Sequence, residues 1–386
     1  MVFEFTSPTR LVFGEGAFAR LGEAVAALGR RALLVTGARA LTATGHVDRA
    51  RELLAAAGVD TVVYSRIPPN PTAEAVEVGA EMARGAECDV VVGLGGGSAM
   101  DAAKAIAVVA AHDLPARRFL EPDAEGNVAQ PTARTLPVVC VTSTSGTSSE
   151  LTPFAVVTVS DTCEKRAIRS PAIQPRVAIE DPELTYSTPP NVTAATGVDV
   201  LCHALEAYIS ATAQPLTDLL AAEAIRLVGQ YLPRAVADGS DIEARRQMML
   251  ANAYAGYGLA NCGVTVMHAM EHPVSGHYPQ VAHGAGLATF IRPWVRLVGP
   301  REPAKLAHVT ALLGGGPDET VTAAECALGT LLQTVGMDLR LRDLGVADTS
   351  LEIMAADTLR YIGLAAGRTP GGVTAADVLE LYESAY

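Results

Sequence analysis

Val90-Val-Val-Gly-Leu-Gly-Gly-Gly-Ser-Ala-Met-Asp-Ala-Ala-Lys104 reads as a buried strand that runs into a glycine turn and then into a helix. Gly95, Gly96 and Gly97 let a diphosphate approach the backbone, and the N–H groups and positive end of the following helix stabilise its charge. One reading is a dinucleotide pyrophosphate held on Gly95, Gly96, Gly97 and Ser98. The other is a turn that only reverses the chain, with Ser98 and Asp101 forming a capping box. The spacing Gly-x-Gly-Gly-Gly-Ser is not the Rossmann fingerprint, and the loop follows the third candidate strand instead of the first.

Outward from this stretch, residues 1–185 alternate short β-branched runs with amphipathic segments, the pattern of strands crossing over through helices into a parallel sheet. Candidate strands are Ala32–Thr36, Thr61–Ser65, Val90–Leu94, Leu136–Thr142 and Val177–Glu180; candidate helices are Val47–Ala57, Thr72–Arg84 and Ala99–Ala111. Pro71-Thr72 opens one helix and Ser98 is expected to cap another. From about Pro189 the strand-like runs give way to Ala/Leu-rich segments such as Thr193–Ser210, Leu216–Leu232, Asp241–Leu259 and Ala323–Thr334. The expected fold class is α/β plus all-α: a dinucleotide-binding parallel-sheet domain over residues 1–185 and a helical domain over 186–386 that carries metal and catalysis. A cleft between two such domains is the default binding site.

Composition narrows the function classes. A net charge of −13 with no run of Lys or Arg argues against a nucleic-acid partner. Every apolar run is interrupted before the roughly 18 residues that a membrane helix needs, and the start Met1-Val-Phe-Glu-Phe lacks a secretory pattern. No membrane association and a cytoplasmic location are therefore expected. Six isolated cysteines without a Cys-x-x-Cys suit reduced thiols better than a disulfide framework or a zinc-thiolate site. The chain has only three lysines, Lys104, Lys165 and Lys305, which makes each position informative.

Five of the eight histidines fall between positions 203 and 283. Asp199 and His203 are spaced i, i+4 in a helical segment and project from one face; His268 and His272 repeat that spacing, with His277 and His283 soon after. A lone histidine is usually a hydrogen-bonded core or surface residue. Asp199, His203, His268 and His283 together form a metal-ligand set, with His277 ambiguous. Carboxylate and imidazole without thiolate suit Fe(II), Zn or Mn, and affinity order alone does not choose among them.

These residues resemble the iron-containing (group III) alcohol dehydrogenase family, in the wider dehydroquinate synthase-like group. The resemblance runs through Phe13-Gly-Glu-Gly-Ala, Pro69-Asn-Pro-Thr, Gly95-Gly-Gly-Ser-Ala-Met-Asp-Ala-Ala-Lys, Ser143-Thr-Ser-Gly-Thr-Ser-Ser-Glu, Asp181-Pro-Glu-Leu-Thr, Ala194-Ala-Thr-Gly-Val-Asp-Val-Leu-Cys-His-Ala-Leu-Glu, His268-Ala-Met-Glu-His-Pro and His283-Gly. It implies a dehydroquinate synthase-like fold, Fe(II) with Zn as a substitute, and NADP or NAD as cofactor. Motif by motif, Asp199, His203, His268 and His283 match the metal ligands, and His272 matches a histidine beside the nicotinamide. Asn70, Gly96, Gly97, Ser98, Ser143, Thr144, Thr147, Lys165 and Leu184 match cofactor-contacting positions, while Ser143 and Thr147 as turn residues and Leu184 as core packing are the structural alternatives. The usual Thr-Thr-Ala-Gly-Thr stands here as Ser143-Thr-Ser-Gly-Thr, and the interval from His272 to His283 is one residue longer than usual.

The implied reaction is hydride transfer between nicotinamide and a small alcohol or aldehyde, with His272 as the catalytic proton relay. A homodimer or higher homo-oligomer is expected. A lyase of the dehydroquinate synthase kind would need several basic side chains for a phosphorylated substrate, and the ligand-bearing segments are nearly free of Lys and Arg. A zinc polyol dehydrogenase and a non-catalytic binding protein are the remaining readings. In NAD-preferring relatives an Asp follows the strand equivalent to Ala32–Thr36; Gly37 stands there, with Arg39 close by, which favours NADP(H).

Overall fold

The computed structural model describes residues 2–316 and 320–386 and divides into two compact units. One comprises residues 7–144 and 148–187; the other comprises 188–386, the segment ending at Thr6, and Ser145–Thr147.

In the first unit eight strands form: β1 (Arg10–Phe13), β2 (Arg31–Gly37), β3 (Asp60–Ile67), β4 (Val90–Gly95), β5 (Val138–Thr142), β6 (Phe154–Val159), β7 (Glu164–Arg169) and β8 (Val177–Glu180). Six of them make a parallel sheet in the order β1-β8-β5-β4-β2-β3, and β6 and β7 pair as a separate antiparallel hairpin. The helices are α1 (Leu21–Ala26), α2 (Ala40–Ala43), α3 (His46–Ala56), α4 (Ala73–Gly85) and α5 (Gly97–His112). Alternate strand residues feed two cores. Leu33, Val35, Val91 and Cys140 pack with α4 and α5, whereas Leu34, Val90, Val92 and Val141 pack with α1 and α3. Strands covered on both faces have no polar side to show, which is why β4 and β5 read as unbroken apolar runs.

The five strands and three helices anticipated in this half correspond to β2, β3, β4, β5, β8, α3, α4 and α5. Three strands were not legible. No helix separates β6 from β7, and β1 is four residues on a sheet edge, so strand–helix alternation reveals none of them. With β1 present, the glycine loop follows the fourth strand in chain order. Thr72 caps α4, its hydroxyl accepting from the Ala75 N–H. Ser98 does not cap α5: the helix begins at Gly97 with Gly96 as its N-cap. Asp101 cannot close a capping box either, because its oxygens accept from the Ser149 hydroxyl at 2.5 Å and the Val156 N–H at 3.1 Å.

Sheet order places the loop. From β2 the chain crosses to β3 on one side, and from β4 it crosses to β5 on the other. The adjacent carboxyl ends of β2 and β4, at Gly37 and Gly95, therefore mark the topological switch point, where ligands bind in open α/β sheets.

Glu180 at the end of β8 and Glu150 are both fully buried. Burial, together with the neighbouring Glu150 carboxyl, pushes Glu180 well above the usual carboxylate range. The native state thus holds a proton that the unfolded chain releases, so stability is full at low pH and falls as pH rises past the unfolded carboxylate value. Glu180→Gln removes that titration and leaves Glu150 a donor. It should raise Tm at pH 8 by about 2–4 °C, which corresponds to roughly 1 kcal/mol in a domain of this size, and raise it less at pH 5. Thermal denaturation at both pH values checks this; an unchanged or lower Tm at pH 8 would refute it.

The second unit is helical: α6 (Pro190–Ile209), α7 (Pro215–Ala237), α8 (Ile242–Cys262), α9 (Val266–His277), α10 (His283–Val298), α11 (Pro303–Leu312), α12 (Val321–Thr334), α13 (Leu351–Tyr361), α14 (Gly363–Arg368) and α15 (Ala375–Ala385). The anticipated helical segments are α6, α7, α8 and α12. Pro215 at the first position of α7 and the Gln214/Thr217 capping box start one helix, and Asp241 caps the next. From Val198 onward α6 is buried on every side, the mark of a helix at the centre of its domain. Any charged residue on it needs a partner, and it carries Asp199, His203 and Glu206.

Candidate metal centre and cofactor loop

The structure brings Asp199, His268 and His283 together from α6, α9 and α10, with one ligand atom of each within 4.8 Å of the others. Asp199 Oδ1 is the focus. It lies 3.5 Å from His203 Nδ1, 3.4 Å from His268 Nε2 and 3.9 Å from His283 Nε2. His203, one helical turn after Asp199, stands beside the trio, its ring stacked on that of His268 with centroids 4.4 Å apart and planes 19° from parallel. His272 lies one turn beyond His268, its ring centroid 5.9 Å from that of His283. His277, at the end of α9, is turned to Asp357 on α13, with Nε2 2.7 Å from its carboxylate; it is outside the cluster.

Buried polar atoms are nearly always hydrogen-bonded. Asp199 Oδ1, His203 Nδ1 and His268 Nε2 are buried and make no hydrogen bond, although they converge within 3.5 Å of one carboxylate oxygen. An anionic oxygen facing imidazole nitrogens in a buried site is a donor set that suits a divalent ion. Electrostatics agree. Burial acts to raise the Asp199 carboxyl, yet the surrounding His203, His283 and His268 outweigh it and hold it well below the usual range. Burial pushes His203 down to about 4. Burial also disfavours charged His268, but Glu206 and Asp199 overcome it and hold that ring up at about 10. Two carboxylates around one imidazole favour a positive charge there, whether a proton on the ring or a cation bound to it.

Glu206 and Glu271 are buried acids beside the cluster that spacing alone did not single out. Glu206 Oε2 accepts from His268 Nδ1 and Glu271 Oε2 accepts from His283 Nδ1, and both glutamates are fully buried. The signal was present: each stands three residues after a candidate ligand, in His203-Ala-Leu-Glu206 and His268-Ala-Met-Glu271. A glutamate flanked by apolar residues on an Ala/Leu helix is an acid headed for the core.

In the sheet unit Gly95 has φ +151°, and a Cβ there would meet the Ala99 Cβ at 2.9 Å; a Cβ on Gly96 would lie 3.2 Å from Thr144 Oγ1. Both positions keep the backbone open at the start of α5. Asn70, held at φ 54°, donates its N–H to Ser98 Oγ at 3.2 Å, and the Ser143 N–H donates to Gly95 O at 2.9 Å. Gly95, Gly96, Gly97, Ser98, Asn70, Ser143 and Thr144 are thus gathered at one helix N-terminus. Lys165 on β7 pairs with Thr158 on β6, whose N–H donates to Pro71 O, next to Asn70. Thr147 belongs to the helical unit, where the adjacent Gly146 N–H donates to Asn252 on α8 at 2.8 Å. Leu184 is buried in the core on the α1/α3 side.

Asp101 and Lys104 are committed within the protein. Lys104 is fully buried, pairs with Asp101 at 3.2 Å, and donates from Nζ to the Ser149, Thr152 and Phe154 carbonyls. Together they fasten the 149–156 segment to α5.

The family model for "Iron-containing alcohol dehydrogenase" matches residues 8–182, and that for "Fe-containing alcohol dehydrogenase family, C-terminal" matches residues 193–386. The chain belongs to the iron-containing alcohol dehydrogenase family. It is 36% identical to 1,3-propanediol dehydrogenase of Citrobacter freundii, over 93% of each chain. It is 34% identical to the NAD-dependent methanol dehydrogenase of Bacillus methanolicus, over 99% of each. The archaeal halo-thermophilic Red Sea brine pool alcohol dehydrogenase superposes with a TM-score of 0.94 at 37% identity, covering all of both chains. As an iron-containing alcohol dehydrogenase, the protein is an oxidoreductase acting on alcohols or aldehydes, and the fold implied by the motif resemblance is the one its relatives share.

Proposed function

We propose that this enzyme interconverts small uncharged alcohols and aldehydes with NAD(P)(H), at a divalent metal held by Asp199, His203, His268 and His283. The observation that carries the reading is the convergence of buried, unbonded ligand atoms on Asp199 Oδ1. When bound, the metal supplies charge stabilisation to the reacting oxygen, and the nicotinamide carries the hydride. The chain's own residues do the rest. Asp199 supplies the single negative charge of the ligand set, and α6, α9 and α10 shield it from water. Gly95, Gly96, Gly97 and Ser98 present the N-terminus of α5 to a pyrophosphate. His272 relays the alcohol proton through its ring nitrogens. Fe(II) is the metal we assign, with Zn as the aerobic substitute, because an O/N set without thiolate holds both. No helix among the described residues is long and apolar enough to cross a membrane; the setting we assign is a cytoplasmic homo-oligomer.

The ligand-bearing segments are nearly free of Lys and Arg, which favours methanol-to-propanediol-sized neutral substrates over phosphorylated ones. Turnover of NAD(P)H with a panel of short aldehydes, after anaerobic Fe(II) loading and again after Zn loading, tests the reading. Higher activity of the iron form is expected; no turnover of any aldehyde by either form overturns it.

Cofactor choice is tested at Gly37. A Cβ added there has only the Ile67 carbonyl within 4 Å, at 3.9 Å, so a side chain fits. Arg39 is exposed nearby and pairs with no acid among the described residues. NADPH is expected to give the higher kcat/KM. Gly37→Asp should move the NADPH/NADH ratio by about tenfold or more toward NADH, since a carboxylate accepts from the ribose 2′-OH and repels a 2′-phosphate. A wild type that strongly prefers NADH would overturn this choice.

A further inference from the structure

The helices α6, α9 and α10 carry the metal-centre residues, and two of those helices each carry a glutamate that reaches a histidine of the next. Glu206 follows His203 on α6 and binds His268 on α9; Glu271 follows His268 on α9 and binds His283 on α10. The carboxylates do more than touch a ring. Glu206 Oε1 accepts from the backbone N–H of Thr265 at 2.9 Å and of Met267 at 3.2 Å, and from the Thr265 hydroxyl. It thereby caps α9 from a neighbouring helix, at an N-terminus where Thr265 itself makes no side-chain cap. The Thr265 hydroxyl in turn accepts from Trp294 Nε1 on α10 at 3.0 Å. Glu271 Oε2 also accepts from the Ser275 hydroxyl at 3.2 Å, and its Oε1 is walled by Gly286, where a Cβ would stand 2.9 Å away.

We propose that Glu206 and Glu271 are positioning residues that pass the placement of α6 to α9 and of α9 to α10. Each fixes the Nδ1–H form of the histidine it holds and so leaves that ring's Nε2 lone pair aimed at Asp199. The chemistry follows from geometry. A neutral imidazole, the form that ligates a metal, carries its lone pair on Nε2 when its one proton is donated from Nδ1 to a carboxylate, and the Nε2 atoms of His268 and His283 are the ones 3.4 and 3.9 Å from Asp199 Oδ1. A carboxylate behind a ligand imidazole also makes it a stronger donor. The two roles differ in scope. Glu206 sets a helix as well as a ring, whereas Glu271 sets mainly one ring. The inference rests on the reading of Asp199, His203, His268 and His283 as the metal centre.

The test is Glu271→Gln, Glu271→Ala and Glu206→Gln in the full chain, with Zn(II) affinity measured by chelator competition and the visible spectrum recorded for the Co(II)-loaded proteins. Glu271→Ala should weaken Zn(II) binding by about 10–100-fold and shift the Co(II) bands, while far-UV circular dichroism and the Tm of the metal-free protein stay near wild type. Glu271→Gln, which keeps an acceptor in place, should recover part of that affinity. Glu206→Gln should lose affinity and also lower the metal-free Tm. A purely structural role for Glu271 would lower Tm and leave affinity and spectrum unmoved; affinity within about threefold of wild type in Glu271→Ala, small against the expected loss, overturns the proposal. A wild type that holds neither Zn(II) nor Co(II) would instead overturn the metal-centre reading, so the two failures are separable.

Discussion

Asp199→Asn is expected to empty the metal centre and to cut kcat/KM for aldehyde reduction by roughly a thousandfold, the equivalent of about 4 kcal/mol of lost transition-state stabilisation. Asparagine has the same shape, so the stacked His203 and His268 rings and the packing of the buried α6 should persist. What disappears is the one negative charge in the ligand set, on the oxygen toward which His203, His268 and His283 all point at 3.4–3.9 Å. Neutral donors offset less of the cost of bringing a divalent ion out of water into a buried site than a set that includes a carboxylate. Metal per chain after gel filtration, measured beside turnover and circular dichroism, checks the expectation. A variant with a full complement of metal and wild-type turnover would remove Asp199 from the centre.

Gly284→Ala is expected to be nearly as damaging, although it touches no ligand atom. A Cβ on Gly284 would lie 1.8 Å from the Ala195 carbonyl oxygen and 2.6 Å from its carbon, so the first turn of α10 rests directly on the backbone of α6. Backbone cannot swing aside as a side chain would, and α10 must move as a body and take His283 with it. Overpacking of this kind costs on the order of 3 kcal/mol, which lowers Tm by about 6–12 °C in a domain of this size, and metal affinity should fall with it. Both measurements are needed. A normal Tm with lost metal would mean that only the ring had shifted, and wild-type values for both would mean that the close approach does not exist.

That substitution shows why His283-Gly284 reads as a unit. The glycine permits the helix contact that delivers the histidine, a constraint that no sequence spacing expresses. Ser98 makes the same point from the other side. Its position three residues before Asp101 satisfies the capping-box pattern, but Asp101 is drawn to Ser149, Val156 and Lys104 from a distant segment, and tertiary partners override a local motif worth only about 1 kcal/mol. His277 and His283 could not be separated by composition or by helical phase. The end of α9 and the turn before α10 separate them, sending one to Asp357 and the other to Asp199.

By itself the sequence determined what local physics controls. The apolar runs of β4 and β5 had to be strands covered on both faces, Gly95 and Gly96 had to bring backbone N–H groups to a helix start, and the i, i+4 spacing of Asp199 and His203 had to put both on one face of a helix. These follow from backbone periodicity and steric freedom within a few residues. Only the tertiary structure decided that Glu206 and Glu271 stand behind the histidines of the next helices, that Lys104 is a buried staple, and that Glu180 meets Glu150 in the core. Each of those pairings joins residues whose side chains are brought together by packing of whole elements, and low-dielectric burial is what turns such proximity into chemistry.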